Sequence, residues 1–199
     1  MKDATSPQST RDAILAAADR LLGKYGYKKM TIEDLANEVG IGKGSVYLHF
    51  SSKEEIALSH VDAIIERLKA KLRDIAAKDS PVEKRLTEML VERVTYRFDS
   101  VQHYTQSLNE LLSALRTKLL DRRRKYFEQE AKIIADIIAE GQASGKFRSG
   151  DALDLAKTFL SATNSLLPYS LSAYELGERD KVAGRTKKTA EILIRGISK

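Results

Sequence analysis

Within two turns of helix, the residues from Lys43 to His49 bring together a cation, a glycine, hydroxyl groups, an aliphatic side chain and an imidazole. On a helical wheel Val46 and Phe50 fall on the inner side with Lys43 and Tyr47 flanking them, while Gly44, Ser45, Leu48 and His49 face outward. An outward leucine does nothing for a solvated surface, but a thymine methyl in the major groove of DNA would give it an apolar partner. Gly44 removes side-chain bulk where the start of the helix must approach a duplex closely. Ser45, Tyr47 and His49 can donate to phosphates or read base edges, and Lys43 can do either. Thr31 and Lys53 suit the phosphate backbone. The first offers a hydroxyl at a helix start, where exposed N–H groups favour an anion, and the second adds charge at the start of the next long helix. About six such contacts make binding steeply salt-dependent.

These side chains need a scaffold, and the flanking residues predict one. Thr31 with Asp34 three positions on marks the start of a short helix whose inner face is Ile32, Leu35, Ala36 and Val39. Gly40, Ile41 and Gly42 then force a turn, and a further short helix over 43–50 completes a helix-turn-helix. A first helix is expected to start at Ser9, capped with Asp12, to bury Ile14, Leu15, Ala18, Leu21 and Leu22, and to stop at Gly26. Two short helices about a glycine turn also form the generic αα-corner of proteins that never touch DNA. The glycines at 40–44 do not make a Walker loop, which wants Ser or Thr directly after Lys43, where Gly44 stands, and no strand precedes them.

The remainder reads as helices throughout. Ser52 and Glu55 form a capping box that opens a long helix with Ala57, Val61, Ile64, Ile65, Leu68, Leu72 and Ile75 on one side. Pro81, in a first-turn position, begins a helix with Val82, Leu86, Met89, Leu90, Val94 and Phe98 on its apolar face. A longer one runs from about Leu108 to Ala143, lined first by Leu111, Leu112, Leu115 and Leu119 and then by Ile133, Ile134, Ile137 and Ile138, with the basic run Arg122 to Lys125 between. Asp151 caps a further helix through Phe159 and on to Leu167, which Pro168 should kink or end. The last helix carries Ile192, Leu193, Ile194 and Ile197, apolar around so much of its circumference that one neighbouring helix cannot cover it. No sustained alternating pattern marks a strand, so the fold class is all-α, with about nine helices.

Composition narrows the functional class. The 199 residues hold 42% hydrophobic and 31% charged residues, the balance of a globular protein. No apolar run approaches the roughly 20 residues of a membrane span, and the polar start from Met1 to Gln8 does not read as a signal peptide, so a cytoplasmic protein is expected. Without cysteine there is no disulfide framework, thiolate nucleophile or Cys-ligated metal site. His49, His60 and His103 are scattered, and no carboxylate cluster or metal-ligand spacing shares a face, which argues against an enzyme and against a bound metal or cofactor. A net charge of +6 suits a polyanionic partner, although acids offset much of the excess in the first 53 residues.

The stretch from Thr31 through the glycine turn to Phe50, and on to Lys53, Glu54 and Glu55, resembles the DNA-binding signature of the TetR family, with Tyr25, Gly26 and Tyr27 also in place. It covers roughly the first quarter of the chain; the rest agrees in helix count and lengths. By resemblance, Thr31, Lys43, Gly44, Ser45, Tyr47, Leu48, His49 and Lys53 occupy positions the family uses on DNA. Gly42 departs from the pattern, since the family often has Ser there; glycine is tolerated as an N-cap. The resemblance implies a flexible tail over 1–8, a DNA-binding domain over 9–52 and a ligand-binding and dimerisation domain over 53–199. It implies a repressor that grips a palindromic double-stranded operator as a homodimer, paired through the last two helices, and releases it when a small-molecule inducer binds. Tyr96, His103, Asn109, Asn164 and Tyr169 interrupt apolar faces and are the candidate groups for orienting that molecule. The alternative within this class is a C-terminal part that binds a protein, or a regulator that activates.

Overall fold

The computed structural model describes residues 7–101, 105–168 and 177–199, without the side chains of residue 7 and residues 105–109. Eight α-helices account for the regular structure of these residues, where about nine were expected, and one isolated antiparallel bridge joins Phe147 and Ser198. The chain divides into two compact units, Met1–Ile64 with His103–Leu119, and Ile65–Gln102 with Leu120–Lys199.

In the first unit, α1 (Pro7–Lys29) begins two residues ahead of the expected start. Proline at a first helical position lacks only an N–H that would be unsatisfied anyway. Ser9 therefore lies inside the helix rather than at its cap, and Asp12 accepts instead from Gln8 Nε2 at 3.1 Å. The predicted stripe is buried from Ile14 to Leu22. Gly26 takes φ 77°, a left-handed conformation that glycine alone adopts without strain, and so interrupts the helical path where the sequence placed its stop. For α2 (Ile32–Val39) the capping box is complete, Thr31 Oγ1 accepting from Asp34 N at 3.1 Å and Asp34 Oδ2 from Thr31 N at 2.9 Å. Gly40, at φ 75°, closes α2 with its N–H on Ala36 and Asn37 carbonyls.

The next helix, α3 (Lys43–Tyr47), is shorter than expected: 48 and 49 form a turn, and Gly42 caps the helix without a side-chain bond. Val46 and Phe50 are nevertheless buried, which keeps the predicted face. At the start of α4 (Lys53–Ala76), Glu55 N donates to Ser52 Oγ at 3.1 Å, but the Glu55 carboxylate accepts from Ser51 N at 2.8 Å. The box thus spans both serines instead of closing on Ser52. Ile14, Leu21, Leu35, Val46, Phe50 and Ile56 form the core of this unit with Leu111 and Leu115 of α6 (Thr105–Ala143).

The second unit holds α5 (Val82–Val101), the rest of α6, α7 (Ala152–Asn164) and α8 (Arg179–Ile197). Pro81 stands one position ahead of α5, its carbonyl accepting from Lys84 N and Arg85 N, both at 3.0 Å. Asp151 caps α7 through Leu153 N at 2.8 Å and Asp154 N at 3.1 Å, as the sequence indicates. That helix ends at Asn164, so Leu166 and Leu167 follow it rather than extend it to Pro168. Leu72, Leu86, Met89, Ile134, Phe147, Phe159 and Ile194 build the core. On α8 Ile194 is buried, Leu193 and Ile197 are half-buried, and Ile192 remains 60% exposed.

Candidate nucleic-acid interface

Val46 and Phe50 anchor α3 from beneath, and the Arg11 guanidinium lies 4.8 Å from the centre of the Phe50 ring. What the helix shows to solvent is an uncommon edge. Leu48 is 84% exposed and Tyr47 49% exposed. A Cβ built on Gly44 meets nothing within 4 Å, and the residue does not have the positive φ that demands glycine. The interior of the protein therefore gives no reason for glycine at this position. Ser45 and His49 are half-buried, less outward than the wheel predicted; His49 lies past the end of α3, in the turn that follows Tyr47, and Ser45 adjoins the buried Val46.

The charged residues are already engaged. Lys43 Nζ lies 3.6 Å from Glu33 Oε2, with both side chains open to solvent. Lys53 Nζ donates to the Tyr27 carbonyl at 3.0 Å and the Lys28 carbonyl at 3.3 Å, and sits 4.7 Å from the centre of the Tyr27 ring. An ammonium has three N–H donors, so one is left for a phosphate. Thr31 Oγ1 gives its proton to Asp34 Oδ2 at 2.7 Å. The Thr31 side-chain and backbone donors hold the Asp34 carboxyl below its ordinary value, so this cap is charged at neutral pH. Further pairs hold α4 and the first part of α6 in this unit: His60 Nε2 to Asp19 Oδ1 at 3.2 Å, Lys118 Nζ to Glu54 Oε2 at 3.1 Å, and Lys28 N to Glu110 Oε2 at 3.4 Å.

Of the candidate ligand-orienting residues, His103, Tyr169 and the side chain of Asn109 lie outside the described residues. The half-buried Tyr96 accepts from Arg67 Nε at 3.3 Å, with Lys71 Nζ 5.5 Å from its ring centre. Asn164 Oδ1 accepts from Arg93 Nη2 at 2.8 Å, so the two residues serve different partners. Arg93 also donates to Glu130 Oε2 at 2.7 Å and Thr163 Oγ1 at 3.2 Å, and Arg97 donates to the other Glu130 oxygen. Burial alone pushes the Glu130 carboxyl up, but the charges and hydrogen bonds of Arg97 and Arg93 outweigh it and hold the carboxyl below its ordinary value. Burial pushes the nearby Tyr126 phenol up to about 12. Sequence reasoning passed over this network. Its trace was present as Arg93 and Arg97, one turn apart beside the apolar positions Leu90, Val94 and Phe98. A separate open groove of about 750 Å³ between α5 and α8 is lined by Ile75, Glu83, Val91, Glu92 and Ile194 among others, and neither Tyr96 nor Asn164 reaches it.

Residues 14–59 match the model of bacterial regulatory proteins of the tetR family, and residues 83–181 match a tetracyclin repressor-like C-terminal domain. A transcriptional repressor of the helix-turn-helix type, KstR2 from Mycolicibacterium smegmatis, is 30% identical over 163 residues, covering 80% of this chain and 78% of the relative. The chain belongs to the TetR family. TetR-family proteins are ligand-responsive, DNA-binding regulators of transcription. The KstR2 repressor of Mycobacterium tuberculosis is 28% identical over 158 residues, 78% of each chain. Solved structures show the same TetR fold: a transcriptional regulator from Cytophaga hutchinsonii superposes with a TM-score of 0.77 at 18% identity, over 94% of this chain and 98% of its own. One from Mesorhizobium loti gives 0.76 at 16% identity, over 98% and 100%. The match over 14–59 contains both helices of the helix-turn-helix and the start of α4. No helix among the described residues is long and apolar enough to cross a membrane.

Proposed function

We propose that this TetR-family protein represses transcription as a homodimer on a palindromic operator and lets go when a small molecule binds its C-terminal part. The observation that carries the DNA reading is the exposed edge of α3, where Leu48 stands 84% exposed and Gly44 has empty space around it. Neither residue serves the folded protein there, and both suit a helix whose start enters the major groove. Lys43, Ser45, Tyr47 and His49 supply polar contacts to bases and phosphates. Thr31 and Lys53 take phosphates, Lys53 with its remaining N–H and Thr31 by donating its hydroxyl hydrogen once that hydrogen turns from Asp34. Residues 9–52 carry DNA binding and residues 53–199 ligand binding and pairing.

Pairing through α7 and α8 gives the exposed Ile192 a partner and sets two copies of α3 about 34 Å apart, the repeat of the duplex. The relatives named repressors favour repression over activation. Tyr96, His103, Asn109, Asn164 and Tyr169 remain the groups proposed to orient the inducer, with the protein acting in the cytoplasm and without enzymatic activity. Inducer binding must favour the DNA-incompetent arrangement for release to follow.

Selection from a random duplex pool tests the reading. The parent chain is expected to enrich an inverted repeat with half-sites one helical turn apart, and Leu48→Asp or Gly44→Asp to lose that binding while folding normally. Duplex affinity that survives both substitutions would overturn it. Titrating operator affinity against small molecules then tests induction, and an operator complex indifferent to every molecule that binds the protein would dismiss that part.

A further inference from the structure

We propose that Glu33 and Lys43 together read one G·C base pair in each half of the operator, Lys43 donating to guanine O6 and N7 and Glu33 accepting from the cytosine N4 amino group; the inference rests on the proposed placement of α3 in the major groove. Glu33 is the second residue of α2 and Lys43 the first of α3, and the glycine turn brings Glu33 Oε2 within 3.6 Å of Lys43 Nζ. The side chains are 64% and 54% exposed, so neither is held by the core, and the lysine starts the helix that contains Gly44 and is capped by Leu48.

In the major groove a G·C pair shows two acceptors on guanine followed by one donor on cytosine. A cation beside a carboxylate forms the complement, donor next to acceptor. Replacing G·C by A·T in the same orientation keeps the N7 acceptor but reverses the other two contacts. Adenine N6 then donates toward the ammonium, and thymine O4 turns an oxygen toward the carboxylate.

The carboxylate needs some such partner, because an acid placed against a polyanion is otherwise repelled. Its alternative use is local, since acids in the first turn of a helix complement the helix dipole. That requirement of α2 is already met by Asp34, which takes the Thr31 N–H and hydroxyl.

The test is duplex selection with the parent chain, Glu33→Ala and Glu33→Gln, each checked by thermal unfolding. The parent is expected to enrich a half-site with one G·C pair that Glu33→Ala relaxes roughly tenfold, the discrimination of a good base contact. Glu33→Gln is expected to move the preference at that position toward T·A, adenine replacing the cytosine, because glutamine matches adenine N6 and N7 and Lys43 then faces the thymine O4 acceptor. If Glu33→Ala instead raises affinity for every duplex by one factor and leaves the enriched sequence unchanged, the acid merely repels DNA and the base-reading assignment is wrong, with the proposed function intact. A parent chain that enriches no sequence at all overturns both.

Discussion

In the proposed interface, Gly44 is a residue at which folding and binding can be separated. A glycine inside a helix costs about 1 kcal/mol relative to alanine, and the space around it is open. Gly44→Ala should therefore leave thermal stability equal or higher by up to about 1 kcal/mol, yet weaken duplex binding at least severalfold by adding a methyl where the groove must come close. Thermal unfolding together with fluorescence anisotropy on a labelled duplex checks both halves, and unchanged affinity would remove Gly44 from the interface. The two lysines should behave differently from each other. Lys43 has only an exposed acid for a partner, so Lys43→Met should lower affinity and the salt slope by about one unit with little change in stability. Lys53 bonds two carbonyls at the end of α1, so Lys53→Met should lower affinity and also cost about 1 kcal/mol in urea unfolding.

Among the elements, α5 keeps its apolar stripe but also buries Arg85, Arg93 and Arg97. Glu130 on α6 is fully buried between Arg93 and Arg97, so removing its charge leaves two guanidinium groups without their carboxylate. Glu130→Gln is expected to cost about 3–5 kcal/mol in urea unfolding. The same group predicts an acid response. Its folded carboxyl titrates below the ordinary 4.5, so the unfolded chain takes up the proton first and acid favours unfolding. The stability Glu130 contributes should be fully present at neutral pH, begin to fall as pH drops through 4.5 and be gone below its own depressed value. Glu130→Gln should flatten that part of the stability profile. Near the end of α6, a Cβ on Gly141 would overlap the buried Phe147 ring, so Gly141→Ala should cost about 1–3 kcal/mol by overpacking.

At the scale of the whole molecule, α4 and α6 are the elements common to both units. In α4, Ile56 and Ala57 join the first core while Leu68 and Leu72 join the second; in α6, Leu111 and Leu115 join the first while Ile134 and Ile138 join the second. A helix shared by two cores cannot be assigned to one unit from its own pattern, since its apolar stripe continues across the change. The proposed homodimer is tested on α8. Ile192→Asp should turn the dimer into monomer at micromolar concentration in analytical ultracentrifugation, and weaken binding to a palindrome far more than to a single half-site. A variant that stays dimeric would place the contact elsewhere.

Local chemistry is what the amino-acid sequence settled by itself. Thr31 with Asp34, Gly26, Gly40 and Asp151 mark their turns because cap bonds and left-handed glycines act within a few positions, and the stripes of α1, α2 and α5 follow from helical period alone. Even there the boundaries of α1, α3 and α7 shifted by a few residues, since the end of a helix depends on what packs beside it. The tertiary structure alone decided which distant groups meet. Lys53 reaches the carbonyls of Tyr27 and Lys28, His60 faces Asp19, and Glu130 lies between two arginines of another helix. These residues are tens of positions apart, and the period of a helix says which way a side chain points without saying what will stand opposite it.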